Sequence, residues 1–339
     1  MPNYIDMLNT VRANSSAQYQ ERVPVATREN FSDVGTSVIE HPNTKNEFLD
    51  AFVYEICYKE VKNKGYKNPL AVLKKGTKPF GGLIEEIYTN PVKGVTFDGS
   101  NVSDMLTVTK PDVKTAYFRM NRQDKYPVSI SDAQLKNAFK NEAEFGSFHQ
   151  SVLTALYAGD EMDEYLLMRN TIASAITDGK MKVVEVSDDA TELIKGVETI
   201  SRYMKYASKE YAGYNVENAA AIEAGTLTPV TTWCPQDKQV LLIREDVDVN
   251  TDIEVLAKAF NMDKTNFTTR KIGIDTFGAE TDVLAVLCDE SIFKFEDDLY
   301  TVRSFDNGSN LTTNYWLHHW QTLGLSPFAN AVAFKKAAA

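Results

Sequence analysis

The chain has 339 residues, 43% hydrophobic and 24% charged, which is room for one elaborate globular domain or two conventional ones. Its formal charge of −11 argues against a protein that grips nucleic acid by neutralising phosphates. No stretch approaches the ~18 apolar residues that a transmembrane helix needs, and MPNYIDMLNTVR lacks the apolar core of a signal peptide.

Tyr4, Leu8 and Val11 share one side of a short first helix. The following residues, through Pro42, show no sustained helical period and carry Pro24, Gly35 and Pro42, which predicts an extended arm lying on another subunit. Deletion of Met1 to Pro42 is then expected to leave a folded subunit that assembles poorly. Thr44 and Glu47 form a capping-box pair opening a helix with Phe48, Leu49, Phe52, Val53 and Ile56 on its apolar stripe, with Gly65 as its stop.

Lys74, Lys75 and Lys78 precede the strand-like FGGLIEEIYTN. A polar stretch with Gly94 and Asp98-Gly99 follows, and VKTAYFRM resumes a strand pattern. Together they predict a long hairpin, too poor in apolar residues to stand alone in water. Because the chain is acidic, the basic root Lys74, Lys75 and Lys78 and the strand residues Glu85 and Glu86 are candidates for a charged contact between subunits.

From Glu144 to about Asp178 there is no proline and one glycine, Gly159. Phe145, Phe148, Val152, Leu156, Tyr165, Leu166, Met168, Ile172 and Ile176 recur at helical spacing. About 35 residues make a helix of roughly 50 Å, kinked around Gly159-Asp160. Asp189 to about Phe305 alternates helix candidates (Leu193 to Ile200, Ile253 to Phe260) with short apolar strands (QVLLIRE, DVLAVLC, YTVRSF), the style of an inserted α/β domain. The chain closes on WQTLGLSPFANAVAF (Trp320–Phe334). A terminal run this apolar must be buried, so it completes a sheet whose other strands lie far upstream.

No motif carries catalysis, a cofactor or a metal. Gly76 and Gly81 have P-loop separation, but Gly82-Leu83 stand where Lys-Ser/Thr is required. Asp246, Asp248 and Asn250 imitate an EF-hand start, yet Thr251 and Ala257 replace its glycine and its bidentate glutamate. His318 and His319, adjacent on a strand, point to opposite faces and suit packing or hydrogen bonding better than one ion. Glu85-Glu86 and Glu296-Asp297-Asp298 read as solvated acids. Cys57, Cys234 and Cys288 are scattered without metal-type spacing, so free, mostly buried thiols in a reducing compartment are expected. In Tyr117-Phe118-Arg119 aromatic and basic residues adjoin, which on an acidic chain suits a protein–protein surface.

The terminal block Trp320–Phe334 resembles the end of the capsid domain in major capsid proteins of small phi29-like podophages. ERVPVATRENFSDVGTSVI (Glu21–Ile39), PFGGLIEEIYTNP (Pro79–Pro91), VKTAYFRMNRQ (Val113–Gln123), MDEYLLM (Met162–Met168) and DIEVLAKAFNMDKTNF (Asp252–Phe267) match that family in the same order. The resemblance covers the whole chain and implies an α+β Hong Kong 97-like phage capsid fold. Its parts would be an N-terminal arm and first helices at 1–66 and an extended β-hairpin loop at 67–128. A peripheral domain with a long spine helix would take 129–182 and 308–339, and an inserted α/β axial domain 183–307. Some members add an immunoglobulin-like module; only Lys335 to Ala339 follow here, so none is expected.

The function implied is structural: a shell of pentamers and hexamers enclosing the phage genome, with no enzymatic activity. The implied partners are a scaffolding protein, a portal protein and packaged double-stranded DNA, touched only non-specifically by an acidic wall, and no membrane. The protein would be made in the host cytoplasm and end in the virion. An encapsulin-type cellular compartment is the alternative within this architecture, and a soluble acidic hydrolase using a carboxylate cluster is the alternative of another class.

Overall fold

The fold is described from a computed structural model, over residues 4–55, 66–78, 82–96, 108–187, 190–248 and 270–337. In chain order the principal elements are α1 (Tyr4–Asn14), α2 (Ala17–Arg22), α3 (Phe31–Ile39), α4 (Pro42–Glu55), β1 (Ile84–Thr89), β2 (Val113–Phe118), β3 (Arg122–Ser131), α5 (Asp132–Ala138) and α6 (Glu142–Leu153). Then come α7 (Gly159–Thr177), β4 (Lys182–Val186), α8 (Ala190–Met204), β5 (Gln239–Arg244), β6 (Lys271–Ile274), β7 (Val283–Asp289), β8 (Phe293–Asn307), β9 (Thr312–Leu325) and β10 (Ala331–Lys336). They form two compact units, one of residues 1–68, 122–164 and 299–320, the other of 69–121, 165–298 and 321–339.

The first unit packs α1 to α6 around an aromatic core. Phe48 stacks on Phe52 with centroids 5.5 Å apart, and Phe145 lies 5.4 Å from Phe52 and 5.3 Å from Phe139. Residues 17–39, expected as an extended arm, instead supply α2 and α3 to this core. Tyr19, Val23, Ala26, Phe31, Val34 and Val38 are all buried in it. The spacing of Phe31, Val34, Gly35 and Val38 is helical, but nine residues are too short a stretch to reveal it, and Gly35 reads as a breaker. Gly35 is needed for contact, since a Cβ there would meet the Phe139 Cβ at 2.2 Å. The Thr44–Glu47 capping box does not form. Helix α4 starts at Pro42, suited to the first helical turn, and Glu47 instead accepts the backbone N–H and the hydroxyl of Ser16 ahead of α2, the latter at 2.9 Å. A capping box does occur at Ser131–Gln134, opening α5.

The long helix spans 142–177 as α6, a π-helical turn at Thr154–Ala158, and α7. The irregularity falls just before the expected kink and ends at Ala158, next to Gly159. A π-turn inserts one residue into the ladder and rotates the helix beyond it; here it delivers Leu156 and Tyr157 into the first unit's core.

In the second unit a five-stranded sheet has the order β4-β10-β7-β5-β6. The terminal strand β10 runs parallel to β4 and antiparallel to β7, as its buried AVAF required. Alternate residues enter two separate cores. Val240, Leu242, Val286, Cys288, Ala331 and Ala333 join the α7 residues Tyr165, Met168, Ile172 and Ile176. Leu241, Ile243, Ala285, Leu287, Val332 and Phe334 join Leu193, Val197 and Ile200 of α8. A sheet covered on both faces is what unbroken apolar strands predict. The segment 321–339, expected with the peripheral residues, therefore belongs to the unit that holds the inserted strands. The expected helix Ile253 to Phe260 lies outside the described residues.

Candidate assembly surfaces

The basic root begins after a 3-10 turn at Pro69–Leu73, whose Leu70 and Leu73 are buried. Backbone bonds then lay residues 75–78 along β8: Lys75 N–H to Phe295 O (2.9 Å), Lys78 N–H to Asp297 O (2.9 Å) and Asp297 N–H to Gly76 O (3.0 Å). Gly76 has φ 105°, a left-handed bend that favours glycine. The register brings each lysine to a partner within the chain. Lys74 Nζ lies 2.8 Å from Asp297, and Lys78 Nζ lies 3.2 Å from Asp298 and donates to the Thr322 hydroxyl. Lys75 Nζ donates to Ser291 O at 3.2 Å. Burial, and then the charge of Lys294, hold its pKa below the ordinary lysine value. Glu86 pairs with Lys294 at 2.8 Å.

Of the five candidate contact residues, then, Lys74, Lys78 and Glu86 already have ionic partners at home. Glu296-Asp297-Asp298 is no solvated patch, since Asp298 is buried. Sequence distance hid this, because more than 200 residues separate the lysines from their acids. Lys78 is nearly as buried as Asp298, so removing it strands a carboxylate, a change worth about 3–5 kcal/mol. Lys78→Ala should accordingly lower the thermal midpoint by about 6–20 degrees, and the Lys74, Lys75, Lys78 triple glutamate variant by more. A melt that superimposes on the parent's would show the pair to be dispensable.

The hairpin β1–β2 pairs antiparallel, Glu85 opposite Tyr117 and Thr89 opposite Val113. Its inner face is fastened to its own unit. Tyr88 stacks on Phe328 with centroids 5.5 Å apart and donates its hydroxyl to Thr231 O, while Asn90 accepts the Thr231 N–H at 3.0 Å. Phe118 lies against Gly324, where a Cβ would come within 2.6 Å of the ring. The outer face holds Glu85, Ile87, Thr89, Val113, Thr115 and Tyr117. Of these Ile87 and Tyr117 are more than half exposed, and Tyr117 donates to Glu85 at 3.0 Å. Glu85 and Glu86 thus point to opposite faces of one strand, which removes them as a hydrolytic carboxylate pair.

His319 faces inward on β9 and His318 outward, as alternation demands. In the first unit Asp160 takes both His319 Nδ1 at 2.7 Å and Arg122 Nη2 at 2.8 Å, and Arg122 also donates to Asp124 and to the Tyr126 hydroxyl. Arg122 and Asp160 carried no signal in the sequence, because a buried ion pair of distant residues has no periodicity. Cys234 and Cys288 are free and buried, and burial pushes both thiols up, away from reactivity. Asp246 of the EF-hand-like run instead pairs with Arg244 at 2.5 Å, which lowers its pKa. Cys57, Gly81, Asn250, Thr251 and Ala257 lie outside the described residues, and among those described no helix is long and apolar enough to cross a membrane.

A family model described as the Phi29-like phage major capsid protein matches residues 8–335. The chain belongs to that family. It is 35% identical to the major capsid protein of Bacillus phage B103 over 330 residues, covering 97% of this chain and 72% of that one. With the major capsid protein of Bacillus phage PZA it shares 32% identity over 336 residues, with the same coverages. In structure it matches a chain of the capsid of Staphylococcus phage Andhra with a TM-score of 0.67 at 14% identity, over 82% of this chain and 86% of that one. The fold is therefore the Hong Kong 97-like capsid fold, and the protein is a structural component of a phage head shell and of the virion. The encapsulin and hydrolase alternatives are not favoured.

Proposed function

We propose that this major capsid protein assembles as pentamers and hexamers into a closed icosahedral or prolate head, without enzymatic activity of its own. The observation that carries the reading is the hairpin's outer face, where Ile87, Val113 and Tyr117 stand exposed while the inner face is tied down. Exposed apolar side chains on a strand face whose other side is already fastened suit a contact with a neighbouring copy. Lys75 and Glu85, the two candidate charges still without a salt bridge among the described residues, would lie at the margin of that contact. In domain terms residues 67–128 act as the extended loop, the helix through 142–177 as the spine of a peripheral domain, and the sheet with α8 as the axial domain. By resemblance a scaffolding protein guides assembly, a portal occupies one vertex, and the acidic wall touches packaged double-stranded DNA only non-specifically. Synthesis takes place in the host cytoplasm.

Negative-stain electron microscopy of the expressed chain tests the reading. Shells, tubes or capsomers are expected, and Ile87→Ser with Tyr117→Ser should reduce them severalfold while the subunit still melts cooperatively, because exposed side chains contribute little to folding. A chain that stays monomeric at every concentration would end the proposal.

A further inference from the structure

Where the chain leaves α8, three aromatic side chains stand in the open: Tyr203 is 59% exposed, Tyr206 61% and Trp233 53%. Backbone bonds bring them together. Ser208 and Thr232 exchange two bonds of 2.9 Å, and Cys234 N–H donates to Met204 O at 2.7 Å, which clamps Trp233 against residues 204–208. Tyr206 N–H donates to Tyr203 O at 3.0 Å. The same stretch holds Arg202, Lys205 and Lys209, and the Lys205 ammonium lies 5.0 Å from the centre of the Tyr206 ring.

The local acids are already engaged, Glu198 by Arg202 at 2.5 Å and Glu210 by Lys182 at 2.9 Å. Among the described residues, neither Lys205 nor Lys209 has an acidic partner. The Lys205 ammonium thus stands over an exposed ring, and Lys209, also exposed, follows Ser208 in the backbone pairing that holds Trp233, on a chain of net charge −11. Tyrosine and tryptophan offer large contact areas with few torsions to freeze, which is why they anchor protein interfaces.

Resting on the shell reading above, we infer that Tyr203, Tyr206, Trp233, Lys205 and Lys209 form a contact surface for an acidic face of a second copy of this chain. The charge balance points to that occupant. With 47 acidic residues against 36 basic, two copies of the chain carry like net charge and repel on average. A basic aromatic patch converts one such approach into attraction and buries the exposed rings. Duplex DNA fits less well, because its bases are already stacked on one another and two lysines neutralise few phosphates.

Sedimentation velocity over a salt series, beside thermal melting, tests the patch in two variants, Tyr206→Ser with Trp233→Ser and Lys205→Glu with Lys209→Glu. Both should melt within a few degrees of the parent, since the substituted side chains are exposed. At low salt each should lose about tenfold or more of its oligomer. The charge variant should recover partly at high salt, where repulsion is screened, and the aromatic variant should not. Parental assembly by both variants overturns this surface and leaves the shell reading standing, whereas a parent that is itself monomeric throughout overturns both. If the charge variant loses duplex DNA binding and keeps its assembly, the patch belongs to nucleic acid and the inference fails.

Discussion

Phe334→Asp is expected to leave no folded subunit. Phe334 is fully buried on β10, a strand with a neighbour on each side, and its ring packs among Leu193, Val197, Leu241, Ile243 and Leu287. Truncating a buried phenylalanine costs about 3–5 kcal/mol, and an unpaired buried carboxylate adds several more. The sum rivals the 5–15 kcal/mol that typically holds a whole domain together. Phe334→Leu keeps an apolar side chain at the site and should still fold, with a reduced midpoint. Near-ultraviolet circular dichroism with thermal melting distinguishes the two. A cooperative melt of the aspartate variant would mean that β10 is not in the sheet.

Deletion of residues 1–42 should likewise abolish the native fold of the first unit, a result opposite to that expected of an extended arm. Eight buried apolar side chains go with it: Leu8, Val11, Tyr19, Val23, Ala26, Phe31, Val34 and Val38. At about 1.5–3 kcal/mol each their burial contributes roughly 10–20 kcal/mol, offset in part by the ordering entropy of the deleted segment. The deletion also uncovers Phe139 and Phe145, whose rings lie 5.9 and 5.8 Å from Phe31. Hydrogen exchange should show α4, α5 and α6 losing protection. Retained protection there, with assembly alone impaired, would restore the arm interpretation.

The two segments differ in how much of their structure is legible along the chain. The terminal strand announces itself, because Ala331, Val332, Ala333 and Phe334 form an unbroken apolar run that only a sheet covered on both faces can hold. The hairpin is visible as two alternating runs, and the long helix as a period kept over more than thirty residues. Helices α2 and α3 are hidden by their brevity, and Gly35 has the look of a breaker although it is the point at which Phe139 comes closest. The basic root is legible as charge, but its electrostatic role is not. Lys74 and Lys78 meet Asp297 and Asp298 through a pairing of residues 75–78 with β8 that nothing local encodes.

By itself the chain's order of residues determined the family, the α+β class, the hairpin, the long helix and the burial of its last strand, since each rests on a local pattern or on ordered matches along the chain. Only the tertiary structure decided which charges are spent internally. It brought Arg122 to Asp160, paired the lysines of the root with acids on β8, and left Lys205, Lys209 and their neighbouring rings uncovered. The reason is physical: burial and ion pairing depend on distances between residues far apart in sequence, and no periodicity along the chain carries that information.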